Sequence, residues 1–240
     1  MHSSKDHRWR RRVFRWGLWN LVYRFWFQMH VQGMENIPPG GPTIMMVNHI
    51  HVTDPGIMIS FAPSGRDIVP LAKREAFEQP VIRYFVSNWG AIPIDRGEAD
   101  TKALKAALWH IRHGDIVLFF AEGTRNREGM ERGEEGSVYM ALKANAVVVP
   151  VALWGTRGFP TTIWREFRTP PVHVCFGEPF RFKGGSGKRL PREHFRQMTD
   201  EAMYRIAAML PPEWRGVYGD LSQATTEFLE FVDLDQGAAA

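Results

Sequence analysis

Thr43-Ile-Met-Met-Val-Asn-His-Ile-His-Val-Thr-Asp54 opens on a short apolar run and closes on a histidine followed, five places on, by an aspartate. Pro38-Pro-Gly-Gly-Pro42 precedes it, so Thr43 to Val47 reads as a buried strand entered from a turn. Asn48 and His49 then fall at the carboxyl end of a strand, where open α/β sheets place their ligands. Asp54-Pro55 supplies a helix start, with Asp at the cap and Pro at the first helical position. A carboxylate at that end of the loop can take the N–H of the His49 ring and leave the other nitrogen free. No serine or cysteine adjoins the pair, so the nucleophile of such a half-triad would come from a substrate. The same residues also fit a plain helix cap and a satisfied polar group, and the rest of the chain has to decide.

Downstream, apolar runs alternate with helical periodicity. A short helix is expected over Ile57 to Phe61, a strand from Asp67 to Ala72 ending at Lys73, and a helix from Glu75 to Ser87 interrupted near Pro80. Trp89-Gly-Ala-Ile-Pro-Ile-Asp-Arg96 reads as a strand that again ends in charge. Ala99 to His113 is a helix, apolar at Leu104, Leu108 and Ile111 and closed by Gly114. Asp115 to Phe120 is a continuous apolar run of the buried parallel kind, with Glu122-Gly-Thr-Arg125 at its end. The charged, glycine-rich segment from Asn126 to Gly136 is expected to be a mobile loop. A helix from Ser137 to Asn145, strands from Ala146 to Leu153 and from Val172 to Phe176, and a helix from Arg192 to Leu210 complete the pattern. This alternation predicts an α/β fold with a largely parallel central sheet flanked by helices. His49, Lys73, Arg96 and the Glu122/Arg125 pair would then gather on one edge.

At 240 residues the chain can bury one full α/β core. Its single cysteine, Cys175, excludes an internal disulfide and lies in a strand-like run. Charge is uneven: residues 1–15 carry a net +5 against +4 for the whole chain, so the rest sums to −1. Val13 to Met29 follows, with Gly17, Asn20, Arg24 and Gln28 on one helical stripe. Phe14, Leu18, Leu21, Val22, Phe25 and Met29 lie opposite. Arg15 and Arg24 leave only eight uncharged residues between them, far short of the ~20 of a membrane span. The expectation is an amphipathic helix lying in a membrane interface, with tryptophans at the boundary. No nucleic-acid recognition motif accompanies the basic residues. The organisation expected is residues 1–32 as a membrane-binding segment, 33–218 as the catalytic domain and 219–240 as a tail.

A base, an orienting carboxylate and several cations on one rim suit an anionic substrate carrying its own hydroxyl. Arg96 and Arg125 offer planar forks to phosphate oxygens, Lys73 a point charge, and Gly90 and Gly123 close backbone approach.

Asn48-His-Ile-His-Val-Thr-Asp54, Gly90-Ala-Ile-Pro-Ile-Asp-Arg96, Phe120-Ala-Glu-Gly-Thr-Arg125 and Val149-Pro-Val151 resemble, in order, the four blocks of the glycerolipid acyltransferase family. The resemblance runs from Gly33 to Val174, and Leu210-Pro-Pro-Glu-Trp-Arg-Gly-Val-Tyr218 is similar to an ending common in those enzymes. It implies that His49 is the general base and Asp54 its orienting partner. Arg96, Glu122, Gly123 and Arg125 would hold a glycerol phosphate, with Lys73 nearby, Asn48, His51 and Thr124 as accessory residues and Pro150 as structural. It further implies transfer of a fatty acyl group from an acyl thioester, carried by coenzyme A or acyl carrier protein, to lysophosphatidic acid at the cytoplasmic face of the cell membrane, by a peripheral protein with no cofactor and no metal. Two departures bear on the acceptor: His51 stands where the family often has serine, and Ala121 where it often has proline. Other acceptors keep the same chemistry: another lysophospholipid, glycerol 3-phosphate or an aminolipid. Two further readings are a metal-dependent hydrolase using His49, His51 and Asp54, and a non-enzymatic membrane adaptor.

Overall fold

The computed structural model describes Val13, Gly17 and residues 28–95, 100–158, 171–184 and 190–234. Thr43–Val47 is indeed a strand, β2, following a first strand β1 at Met29–Gln32. The others described are β3 (Ile68–Lys73), β4 (Ile92–Ile94), β5 (Ile116–Phe120), β6 (Val147–Trp154), β7 (Val172–Phe176), β8 (Phe180–Phe182) and β9 (Leu229–Phe231). Their order across the sheet is β1-β7-β6-β2-β5-β3-β4, with β8 on β6 and β9 on β8. Strands β6, β2, β5, β3 and β4 are mutually parallel, so their carboxyl ends share one edge. Strand β7 runs antiparallel to β6, and β1 parallel to β7.

Every residue of β2 and β5 is buried, because both faces of these central strands are covered. Ile44 and Met46 face one core with Val117, Phe119 and Val148, and Met45 and Val47 face the other with Leu118, Phe120 and Val149. The first core is covered by α3 (Thr101–Arg112), α4 (Gly136–Ala144) and α5 (Arg192–Met209). Under α3 the closest line is Ala103, Ala107 and Ile111, two small side chains that let the helix approach the sheet. The second core is closed by α1 (Asp54–Ser60) through Ile57, Met58 and Ile59, with Ile37 and Phe61 beside it. Helix α2 (Pro80–Asn88) buries only Val86 and leaves Val81 and Tyr84 exposed.

Pro150 sits inside β6, where a missing N–H would ordinarily break a ladder. Its carbonyl accepts from the Gly177 N–H, so the missing donor faces that same side. There β8 pairs with Val148 and β7 with Val151 onward, and Pro150 occupies the gap between them.

The fold departs from the sequence pattern in particular places. Met29 is not the last turn of a helix: it opens β1, so the sheet takes in residues assigned above to the amino-terminal segment. Gln28, expected on the polar stripe of that helix, is not helical either, and its carbonyl accepts from the Val172 N–H at 2.9 Å. The rest of that amphipathic stretch lies outside the described residues, apart from Val13 and Gly17, which are helical. Strand β4 is only three residues long, where an eight-residue strand was expected. The tail forms β9 and a 3-10 turn at Leu221–Gln223. Such short edge strands carry too few alternating residues to register as a pattern. The segment 126–135 is irregular, as expected, yet anchored along its length. Its backbone N–H groups at Asn126, Met130, Glu131, Gly133 and Glu134 all find acceptors in other segments.

Candidate active site

Asp54 is not a side-chain helix cap; it occupies the first turn of α1 and turns its carboxylate back over the preceding loop. Its Oδ2 accepts hydrogen bonds from the Ile50 and His51 backbone N–H groups, each at 2.7 Å, and lies 2.9 Å from His49 Nδ1. An oxygen that already accepts twice is an acceptor for the ring as well, so Nδ1 carries the proton and Nε2 keeps its lone pair. The sequence spacing thus closes a tight loop in which one buried oxygen gathers three donors. Phe120, the last residue of β5, lies under the imidazole with ring centroids 4.0 Å apart. The His49 side chain remains 13% exposed while Asp54 is wholly buried. This is the geometry of a base open on one nitrogen and held from behind.

The backbone of His49 is fixed by the segment after β5. Glu122 Oε1 accepts the His49 N–H at 3.1 Å, and the Asn126 N–H donates to the His49 carbonyl at 2.7 Å. Glu122 Oε2 accepts from Asn126 Nδ2 and from the Glu131 N–H. Burial pushes the Glu122 carboxyl above its ordinary range, against the pull of these three donors. Both oxygens are therefore spent inside the protein. Asn48 is likewise internal: its amide exchanges two 2.8 Å hydrogen bonds with the Leu153 backbone and pins the end of β2 to β6.

The neighbour order β2-β5-β3-β4 sets the rim in sequence: His49, then Glu122 to Arg125, then Lys73, then Asp95. Strand β3 pairs with β5 as far as Pro70, and its last residues, Leu71 to Lys73, pair with β4. Lys73, Thr124 and Arg125 are exposed, and Gly123 adopts φ +65°, where an added Cβ would lie 3.0 Å from the Glu134 side chain. Arg96 lies outside the described residues. Asp95 immediately before it is held by Arg74 at 2.5 and 2.6 Å.

His51 is buried beside the pair with its Nδ1 3.0 Å from Thr53 Oγ1. Desolvation lowers its pKa, and the cations Arg127 and Arg125 lower it further against the opposing pull of Asp54. The imidazoles of His49 and His51 therefore turn to different partners, and among the described residues no three His, Cys, Asp or Glu side chains are grouped to hold a metal ion. Phe120, Asn126 and Glu131 went unassigned in the sequence. Phe120 already lay inside a quoted block, but nothing in a linear reading signals a ring stack or a main-chain donor.

A family model described as Acyltransferase matches residues 28–154, just over half of the chain. A 1-acyl-sn-glycerol-3-phosphate acyltransferase of Borreliella burgdorferi is 37% identical over 137 residues, covering 54% of this chain and 52% of that protein, so the chain spans about half the relative's length. The Bacillus subtilis protein of the same name is 27% identical over 177 residues, covering 73% of this chain and 85% of its own. Among solved structures, the Thermotoga maritima 1-acyl-sn-glycerophosphate acyltransferase PlsC matches with a TM-score of 0.60 at 23% identity. That match covers 84% of this chain and 80% of the other, a likeness of fold.

Proposed function

The chain belongs to the acyltransferase family, and from that premise we propose that it moves a fatty acyl group from an acyl thioester to the free hydroxyl of lysophosphatidic acid, giving phosphatidic acid. The observation that carries this reading is the His49–Asp54 pair at 2.9 Å, which leaves Nε2 as the open nitrogen of the ring. Among the described residues, the side chains that meet the imidazole, Asp54 by hydrogen bond and Phe120 by ring stacking, supply no hydroxyl or thiol nucleophile. The attacking oxygen therefore belongs to the substrate. His49 Nε2 takes the proton of the lipid hydroxyl as its oxygen adds to the thioester carbonyl. The tetrahedral intermediate collapses with formation of the ester C–O bond and loss of the C–S bond, and the thiolate leaves to be protonated. Coenzyme A and acyl carrier protein are the two candidate carriers of that thioester.

Arg125, Lys73 and Arg96 are proposed as the phosphate-holding cations, with Gly123 and Thr124 at the same turn. What supports them is the parallel order of β2, β5, β3 and β4, which puts the carboxyl ends of the strands before Arg125 and at Lys73 on the same sheet edge as His49. Glu122 is proposed to shape the turn rather than face the phosphate, since both of its oxygens accept hydrogen bonds within the protein.

We further propose peripheral attachment to the inner face of the cell membrane through the basic, tryptophan-rich amino terminus. Among the described residues no helix is long and apolar enough to cross a bilayer. Val81 is 71% and Tyr84 61% exposed on α2, an apolar surface suited to the same membrane.

The test is transfer of a radiolabelled acyl group from each thioester to lysophosphatidic acid, glycerol 3-phosphate and other lysophospholipids. The wild type should acylate lysophosphatidic acid best, and His49→Ala should abolish transfer. Substantial transfer by purified His49→Ala, or indifference to the acceptor phosphate, overturns the assignment.

A further inference from the structure

The segment after α5 returns across the molecule and grips the 126–134 loop that braces the site. Pro212–Trp214 and Gly216–Tyr218 are two 3-10 turns. Between them, the Met130 N–H donates to the Trp214 carbonyl at 3.1 Å and the Val217 N–H to the Met130 carbonyl at 2.9 Å. The two backbones approach so closely that a Cβ on Gly216 would lie 2.0 Å from the Met130 oxygen, and one on Gly129 2.9 Å from Gly216 Cα.

Three residues on, the Gly133 peptide is held at both ends. Its N–H donates to Tyr218 Oη at 3.2 Å, and its carbonyl accepts from Arg196 Nη1 at 2.7 Å. Asp200 joins the two holders, accepting from Tyr218 Oη at 2.8 Å and from the Arg196 guanidinium at 2.7 and 3.0 Å. Gly133 lies flat on α5, where a Cβ would meet Met203 at 2.8 Å. From there the connection to the catalytic loop is short. The Glu134 N–H donates to the Ala121 carbonyl, the Glu131 N–H to Glu122, and Glu122 holds the His49 N–H.

We propose that Tyr218, with Arg196 and Asp200, is a positioning residue of the active site: it seats the Gly133 peptide on α5 and so fixes the Glu122 carboxylate that sets the backbone of His49. The inference rests on the reading of His49 as the base. Tyr218 touches no substrate in this scheme; it acts through the 126–134 loop. A cavity of about 640 Å³ borders Arg196, Asp200 and Tyr218. In Tyr218→Phe, water from that cavity can replace the lost hydroxyl at Asp200, so the fold survives while Gly133 loses a rigid anchor.

The experiment uses the full chain and its Tyr218→Phe variant, with steady-state acyl transfer and amide hydrogen exchange measured side by side. A displacement of 1 Å at a reacting group costs on the order of 10²-fold in rate, and a loosened loop should lose roughly tenfold in kcat with KM changed less than about twofold. The amides of His49, Glu131 and Gly133 should exchange at least about tenfold faster in the variant. A kcat within twofold of the wild type, or unchanged exchange at His49 and Glu131, overturns the proposal. A lowered melting temperature with an unchanged kcat is the signature of a merely structural role. Arg196→Lys keeps a cation opposite Asp200 but loses the arm that reaches the Gly133 carbonyl, and it is held to the same limits should Tyr218→Phe not fold. If the wild type transfers no acyl group, the reading of His49 falls, and the exchange data still decide whether Tyr218 holds the loop.

Discussion

Histidine followed five places on by aspartate occurs twice in this chain, and both pairs close. His110 Nδ1 lies 2.8 Å from Asp115 Oδ2, as near as His49 lies to Asp54. What differs is the place. Asp115 precedes β5 at the amino-terminal edge of the sheet, whereas Asp54 follows β2 at the carboxyl edge, where the neighbouring strand ends carry cations. Asp54→Asn should reduce kcat about 10³-fold by losing the acceptor that fixes the His49 tautomer, while His110→Ala should leave kcat within about twofold, both read by steady-state acyl transfer. His51 supplies a second prediction. Desolvation first, then Arg127 and Arg125, hold its pKa below the ordinary 6.5. Between that lowered value and 6.5 the unfolded chain binds more protons than the folded one. Stability is therefore complete above that window and is lost as the pH falls through it. Melting temperatures measured from pH 7 down to pH 5 should fall less steeply in His51→Ser than in the wild type.

Elements divide between those that build the rim and those that hold the opposite edge. At the amino-terminal ends of β2 and β5, the buried Arg66 donates to the carbonyls of Pro38, Gly41 and Gly114 at 2.6 to 2.7 Å, and to Thr43 Oγ1 at 3.0 Å. One guanidinium thus closes two strand entrances, a use of its fixed fork that lysine does not share. Removing it orphans buried carbonyls, and Arg66→Ala should cost about 3 kcal/mol in urea unfolding while acyl transfer by the folded protein persists. At the rim, loop 126–135 carries charge and glycine, composition that ordinarily marks mobility. Here Gly129, Gly133 and Gly216 serve contact instead, each at a point where a side chain would strike the neighbouring segment. Composition alone does not separate a flexible glycine from one that permits two backbones to touch.

For the whole molecule, the proposal is a lipid enzyme whose largely parallel sheet presents its chemistry at one edge, attached to a bilayer through a basic terminus. Arg10, Arg11 and Arg12→Glu should weaken co-sedimentation with anionic vesicles by about 10²-fold, since each basic residue near such a surface contributes about 1 kcal/mol, with less change on neutral vesicles. Periodicity and composition alone determined the α/β class, the central strands β2, β5 and β6, and the histidine–aspartate loop. These depend on local signals: continuous apolar runs for strands buried on both faces, helix starts and stops, and a five-residue spacing short enough for one turn to close. Only the tertiary structure decided the order β6-β2-β5-β3-β4 and hence which charged ends are neighbours, the turning inward of Glu122 and Asn48, and the descent of Tyr218 onto the 126–134 loop. The reason is physical: strand order and long-range main-chain hydrogen bonds depend on which segments meet in space, and the backbone donors that decide them are the same in every residue but proline.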